Sequence, residues 1–397
     1  MLSTPEGLDD PYAVHRQLRQ RATDGESIGN IVVDWSTAAD VLSHPELSSD
    51  RVDAICSPLD EGTRVEVATV HETLAAIIAF QDPPDHTRIR KLLRQAFTPR
   101  VLRHQQEVVD QTVGQFFEQL ADTADGSPVD VHQLVSYPFP AKVISGMLGI
   151  PEEVHARFQK WALDIVLFVG SGRLDRAIAL STLDSINELR RFMPDLVAAR
   201  RADPGSDLLS ALIEASDDDG HLSENELFAN ALFLMTAGHE TATNGISNGL
   251  VALLRHPDQF RALVDDPTLI DSAVEEVLRF ESPVQMTPRL ATDDIEIHGH
   301  NLRAGDALVV LLGAASRDGE QFEDPDRFDI TRADNRHLAF GHGAHWCLGG
   351  NLARQEMRSV IGRFARDYPE ASLASEPQWQ PTLNFRGPTS LMVELNR

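Results

Sequence analysis

The sequence predicts a mainly helical chain with a small β region, and three observations carry that reading. From Ser223 no proline appears until Pro257, and the stretch opens on a Ser-x-x-Glu capping box at Ser223 and Glu226. At 1.5 Å per residue it makes a rod of roughly 45 to 50 Å. Apolar residues recur at helical spacing elsewhere, as in Ile89, Leu92, Leu93, Ala96 and Phe97, and again in Leu352, Met357, Val360, Ile361 and Phe364. Strand-like runs are short: Ile31–Val33, Ile295–Ile297 and Leu308–Leu312.

Composition bounds the function. The chain has 397 residues, 35 Lys and Arg against 61 Asp and Glu, and a net charge of −26. Only Lys91, Lys142 and Lys160 are lysines; the other basic residues are arginines. Such acidity disfavours nucleic acid and anionic membranes as partners. The start, MLSTPEGLDD, has neither a basic nor an apolar region of a signal peptide, and no run of about 18 apolar residues occurs, so a soluble, cytoplasmic protein is expected. The two cysteines, Cys56 and Cys347, make no disulfide framework. Length alone suggests two or three domains, yet no linker or low-complexity tract divides the chain.

Taken in order, Pro11–Arg21 reads as a weakly amphipathic helix, Ile31–Val33 as a strand and Trp35–Leu42 as a helix. Residues 43–80 read as irregular, and nothing around Cys56 suggests chemistry for it. A helix then follows Pro83 and Pro84 and ends before Pro99. From His86 to Gln106 there is no acidic residue, against six basic ones: Arg88, Arg90, Lys91, Arg94, Arg100 and Arg103. A solvated basic face explains such a run, and so does a docking surface. Helices interrupted at Pro138, Pro140 and Pro151 lead to the apolar stretch Phe158–Gly170, and Arg173–Arg201 reads as a long polar helix.

In the middle of the long rod lies Ala237-Gly238-His239-Glu240-Thr241, which joins a glycine to a β-branched hydroxyl residue. A local widening of the helix is expected there. An acid beside an alcohol in a dry pocket can relay protons from solvent; a kinked core helix with an incidental acid is the competing reading. Asp271–Phe280 reads as a helix with Glu276 and Arg279 on one face. Arg289 follows Ser282–Met286, and a turn is expected at Asn384-Phe385-Arg386-Gly387.

The most specific stretch is Phe340–Arg354, FGHGAHWCLGGNLAR. Apolar spacing from Leu348 onward places Cys347 at or just before a helix N-terminus, where unpaired N–H groups favour the thiolate. A thiolate is a metal ligand or a nucleophile. A buried structural cysteine is the usual fate of a lone Cys, and a zinc cluster of His337, His342, His345 and Cys347 has a spacing foreign to the common fingers.

Phe340, Gly343, His345, Cys347 and Gly349 match F-x-x-G-x-H-x-C-x-G, and the stretch resembles the haem-binding loop of the cytochrome P450 family. With Asp82-Pro83-Pro84-x-His86-x-x-x-Arg90, the Ala-Gly-x-Glu-Thr run and the Glu276/Arg279 pair, the likeness extends from about Pro11 to the C-terminus, motifs in order. It implies a single domain over residues 1–397, folded as a triangular helical prism. It implies haem b with Cys347 as the axial metal ligand. His86, Arg90 and Arg289 would approach the propionates, and Ala237, Gly238, Phe340, Gly341, His345 and Gly349 would line the cofactor. Glu240 and Thr241 would serve catalysis with O2 as co-substrate. Glu276, Arg279 and Arg327 would form a bracing Glu-Arg-Arg cluster, and the turn at 384–387 would enter the substrate pocket.

The reaction implied is insertion of one oxygen atom into an apolar small molecule, with electrons from a separate ferredoxin-type donor. That donor would dock at the basic face around Arg94 and Arg103, with Arg88, Lys91 and Arg100 as further candidates. A peroxide-driven hydroxylase and a haem-binding sensor without turnover are the alternatives, and the Glu240–Thr241 pair speaks against both. Ser316 stands where the family usually has Asn, and the N-terminal segment is shorter than in many relatives. Substrate identity is not legible from periodicity.

Overall fold

Helix starts follow local capping chemistry. Asp10 accepts the amide of Ala13 at 3.1 Å and opens α1 (Pro11–Thr23); Asp34 accepts that of Thr37 at 2.8 Å and opens α2 (Trp35–Ser43). Later helices that matter here are α3 (Asp85–Ala96), α4 (Pro99–Thr123), α5 (Pro138–Met147), α6 (His155–Gly170), α7 (Arg176–Ala202), α8 (Glu224–Arg255), α9 (Ile270–Phe280) and α10 (Gly350–Asp367). In the computed structural model the described residues are 4–123, 125–170, 174–217 and 220–396, so Arg173, the expected start of the polar helix, lies outside them. The mainly helical reading with a small β region holds.

The chain divides into two compact units, neither a continuous segment. The first unit takes Met1–Leu47, Val113–Pro138 and Thr241–Arg397, and the second takes Ser48–Thr112 and Phe139–Glu240. Within the first, strand β1 (Ile31–Val32) runs parallel to β3 (Ala307–Val310), with Val32 opposite Val310. Strand β2 (Thr287–Ala291) pairs antiparallel with β3, setting Arg289 opposite Leu308. Their inner faces and α2 form one core of Val32, Val41, Leu42, Leu308 and Val310. The expected strand Leu308–Leu312 stops at Val310, and Leu312–Ala315 turns into a short helix.

In the second unit, the stretch read as irregular is largely helical: Val52–Cys56, Glu61–Glu66 and Ala68–Ala75, then a 3₁₀ turn at Ile78–Phe80. These helices are too short for periodicity to show. Caps such as Asp60 to the amide of Thr63 at 3.0 Å, and complete burial of Val70 and Leu74, hold them instead. The capping box of α8 forms as expected: the Ser223 amide donates to Glu226 at 2.8 Å, and the Glu226 amide to the Ser223 hydroxyl at 3.2 Å. The widening expected near Gly238 does not occur, and α8 stays α-helical throughout. Gly238 serves close packing there, since a Cβ on it would sit 3.3 Å from Ile144 of α5. Among the described residues, no helix is long and apolar enough to cross a membrane.

One buried carboxyl bears on stability. Glu356 on α10 is 1% exposed, and among the described residues neither of its oxygens has a partner. Burial raises its pKa well above the ordinary value of 4.5. The folded chain therefore keeps this proton while the unfolded chain loses it above about pH 4.5, so folding weakens as pH rises through that range. Glu356→Gln should match the parent protein near pH 4 and gain on it by about 1.4 kcal/mol per pH unit while the native carboxyl stays protonated. Denaturant melts at pH 4, 5.5 and 7 measure the difference; a constant gap between the two proteins would contradict a buried neutral acid.

Candidate functional site

The loop before α10 is shaped by its glycines. Gly341 and Gly343 have φ of +72° and +70°, in the left-handed region that side chains avoid. Gly343 has no space to spare either: a Cβ on it would lie 2.6 Å from the Ser43 hydroxyl and 3.2 Å from the Leu42 carbonyl. The loop closes on itself where the Cys347 amide donates to the Phe340 carbonyl at 2.9 Å. Cys347 is half-buried and, like Cys56, not in a disulfide. Gly349 caps α10, so Cys347 lies two residues ahead of the cap, slightly further from the helix than the apolar spacing suggests. On the remaining side the loop is open, because a Cβ on Gly349 would meet no atom within 4 Å and one on Gly341 only the His345 carbonyl at 3.8 Å.

The loop is fastened to α9 through Glu275, which sequence reasoning passed over in favour of its neighbour. The carboxylate accepts two bonds from Arg354, at 2.6 and 3.0 Å, and meets the His337 ring at 3.1 Å. Arg354 in turn lies 4.4 Å from the centroid of the Phe340 ring. Burial would raise the Glu275 carboxyl, but hydrogen bonds and charge from His337 and Arg354 bring it down to about 2. His337 also takes the amide of Ala339 on Nδ1 at 3.2 Å. Both its ring nitrogens are engaged, which removes it from the zinc reading. Among the described residues no group of three or more His, Cys, Asp or Glu side chains is arranged to hold a metal ion.

Below this lies the Glu276–Arg279 pair, both side chains fully buried and joined by two bonds of 2.8 Å. Arg279 also donates to the carbonyls of Ser316, Pro325 and Arg327 at 3.1, 2.7 and 3.0 Å. The third member expected from sequence, Arg327, is corrected: its side chain is 64% exposed and meets Asp329 at 3.8 Å. Arg332 takes that place, 11% exposed, with Nε 3.2 Å from Glu276. Asn335 and the Asp329 amide complete the set on Glu276 at 3.0 and 2.8 Å. Arg327 takes part through its backbone carbonyl alone, a contribution that side-chain identity does not signal.

The other expected residues fall in the two units as follows. The first unit holds the loop residues Phe340, Gly341, His345, Cys347 and Gly349, together with Thr241 and Arg289. Arg289 is 5% exposed on β2, and its guanidinium donates to the Pro288 carbonyl at 3.1 Å. The second holds His86, Arg90, Ala237, Gly238 and Glu240. His86, 2% exposed, and half-buried Arg90 lie one turn apart on α3. Helix α8 passes from one unit to the other between Glu240, which is buried, and Thr241, which is half-buried. The basic run splits at Phe97-Thr98 into the end of α3 and the start of α4, with Lys91, Arg94, Arg100 and Arg103 exposed. Arg88 leaves that face: its side chain is 24% exposed and paired with Glu226 of the capping box.

Known proteins resemble this chain over most of its length. A family model described as Cytochrome P450 matches residues 32–382. The cytochrome P450 monooxygenase PikC of Streptomyces venezuelae is 37% identical, with 98% of this chain and 92% of that protein aligned. The 6-deoxyerythronolide B hydroxylase of Saccharopolyspora erythraea is 36% identical over 98% of this chain and 96% of its own. Among solved structures, P450BioI in complex with an acyl carrier protein carrying hexadec-9Z-enoic acid superposes with a TM-score of 0.89, 32% identity and complete coverage of both chains.

The exchange of Arg327 for Arg332 can be measured. Arg332→Ala should lower unfolding free energy by on the order of 3 kcal/mol, since it leaves Glu276 buried with one charged donor fewer. Arg327→Ala should stay within about 0.5 kcal/mol of the parent protein. Equal effects in urea melts would return the bracing role to Arg327.

Proposed function

The chain belongs to the cytochrome P450 family, whose members are haem-using monooxygenases acting on small molecules, and from that premise we propose that Cys347 ligates a haem b and that the protein inserts one atom of O2 into an apolar substrate. The observation that carries the assignment is the Cys347 loop: a half-buried thiol on a backbone locked by two positive-φ glycines, with an open face at Gly341 and Gly349. The donor set fits the group, because a thiolate suits iron and bare backbone suits a flat ring. A buried arginine such as Arg289 suits a carboxylate, as propionates would offer, and His86 and Arg90 have the same chemistry. Ala237 and Gly238 present little bulk beside a planar group. When bound, the haem supplies reduction of O2 at its iron, one oxygen atom going to substrate and the other to water.

The chain's own residues supply orientation and protons. Thr241 holds a hydroxyl able to accept and donate at once, and the adjacent Glu240 carboxyl can reload it. This buried acid beside an alcohol favours the O2-driven reaction over a peroxide-driven hydroxylase or a sensor, neither of which needs a relay. All of residues 1–397 would work as a single haem domain in the cytoplasm.

Electrons would come from a ferredoxin-type partner at the exposed set Lys91, Arg94, Arg100 and Arg103, where Leu102, 46% exposed, offers an apolar anchor. On a chain of charge −26 such a patch would steer an acidic protein to one place.

Reduced protein under carbon monoxide should show the red-shifted Soret band of a thiolate-ligated haem, and Cys347→Ala should lose it; an unchanged band would refute the ligand assignment. Thr241→Ala should keep that band and substrate binding while turning electrons from product to peroxide, whereas unchanged coupling would remove the relay. Charge reversal at Arg94 and Arg103 should slow reduction by the ferredoxin by about tenfold or more at low salt and flatten its salt dependence. Were the substrate delivered on an acyl carrier protein to this face instead, substrate delivery would weaken and reduction would not.

A further inference from the structure

The turn at 384–387, expected at the substrate, is held in the first unit by a neighbouring segment. The Gln285 amide donates to the Asn384 carbonyl at 2.8 Å, the Arg386 amide to the Pro283 carbonyl at 2.8 Å, and Val284 bridges Phe385. The side chain of Gln285 ties this pair of segments to α1. Its Nε2 donates to the Ser282 carbonyl at 2.7 Å and to the Tyr12 hydroxyl at 3.1 Å, which uses both N–H groups. Gly313 makes room for the amide, since a Cβ there would lie 2.6 Å from Gln285 Oε1.

One acceptor is left over. Among the described residues, Gln285 Oε1 has no partner although the residue is only 4% exposed, and neither has Nδ1 of His15, 3% exposed, one turn from Tyr12 on α1. Both residues line one cavity of about 20 Å³, whose wall also includes Met286, Leu383 and Phe385. That volume suits one water molecule, and an unmade bond to a buried acceptor costs more than a made one gains. Burial, reinforced by Arg317, Arg19, Arg386 and Arg16, holds the His15 imidazole down at about 3, so it faces the cavity as a neutral ring at working pH.

We infer that a single trapped water joins His15 to Gln285, and that Gln285 is a positioning residue which sets the substrate-facing turn against α1. The second half rests on the haem-monooxygenase reading; the water does not. Nothing in Gln285 touches the reacting atoms. Its effect is on which ligands the pocket accepts, large ones that reach the turn being affected and small ones not.

Two measurements test this on purified ferric holoprotein. A high-resolution crystal structure should show one ordered water within hydrogen-bond distance of both atoms; a dry cavity with the side chains in place overturns the water. Gln285→Leu should weaken binding of the bulky azole clotrimazole, read by its Soret shift, about three- to tenfold, and leave that of imidazole within about twofold. Tyr12→Phe, a milder change should Gln285→Leu fail to fold, should act in the same direction. Equal affinities in variant and parent, or equal losses for both azoles, overturn the positioning role. The carbon monoxide band of the same samples shows separately whether the haem reading stands.

Discussion

The buried ion pair of Glu276 and Arg279 is the interaction on which the first unit's site depends. Two opposite charges with no solvent contact are stable only if every remaining donor and acceptor is met. Here the partners come from the irregular stretch between Ser316 and Asn335. That stretch carries little regular structure of its own, so its path is fixed largely by where these charges need bonds. It delivers the chain to Leu338, whose carbonyl starts the cysteine loop by accepting the Gly341 amide at 2.8 Å. One turn of α9 thus holds two braces side by side, Glu276 for the approach to the loop and Glu275 for the helix that leaves it.

How much was legible in the sequence follows from how local each cause is. The cysteine loop and the capping box of α8 are set by residues within a few positions of one another; the capping box forms as read, and the loop runs into α10 with Cys347 two residues ahead of the cap. Arg332 was not legible because its partner is reached across an irregular path of more than fifty residues, where spacing carries no geometric information; Arg327, nearer the family pattern, offers its carbonyl instead of its side chain. The helices between residues 43 and 80 escaped for a related reason, being held by caps and burial rather than by an apolar stripe. At Gly238, composition pointed to a distorted helix, and a neighbour's side chain, Ile144, accounts for the glycine in another way. Tertiary packing overrides local propensity in each of these cases.

Charge is distributed with the same economy. Arg88 pairs with Glu226 and is absorbed into the capping box of α8, while Lys91, Arg94, Arg100 and Arg103 stay exposed. One stretch of sequence thus supplies both a brace for a helix start and an exposed basic surface.

The scarcity of lysine has a practical consequence for mapping surfaces. Lys91, Lys142 and Lys160 all belong to the second unit, and Lys91 sits in the exposed basic run. The arginines that supply the rest of the positive charge are inert to reagents that acylate amines. Apart from the chain's α-amino group, an amine-directed cross-linker has only these three addresses, so a tryptic map of any linked partner would carry almost no background and would read the basic face through one residue.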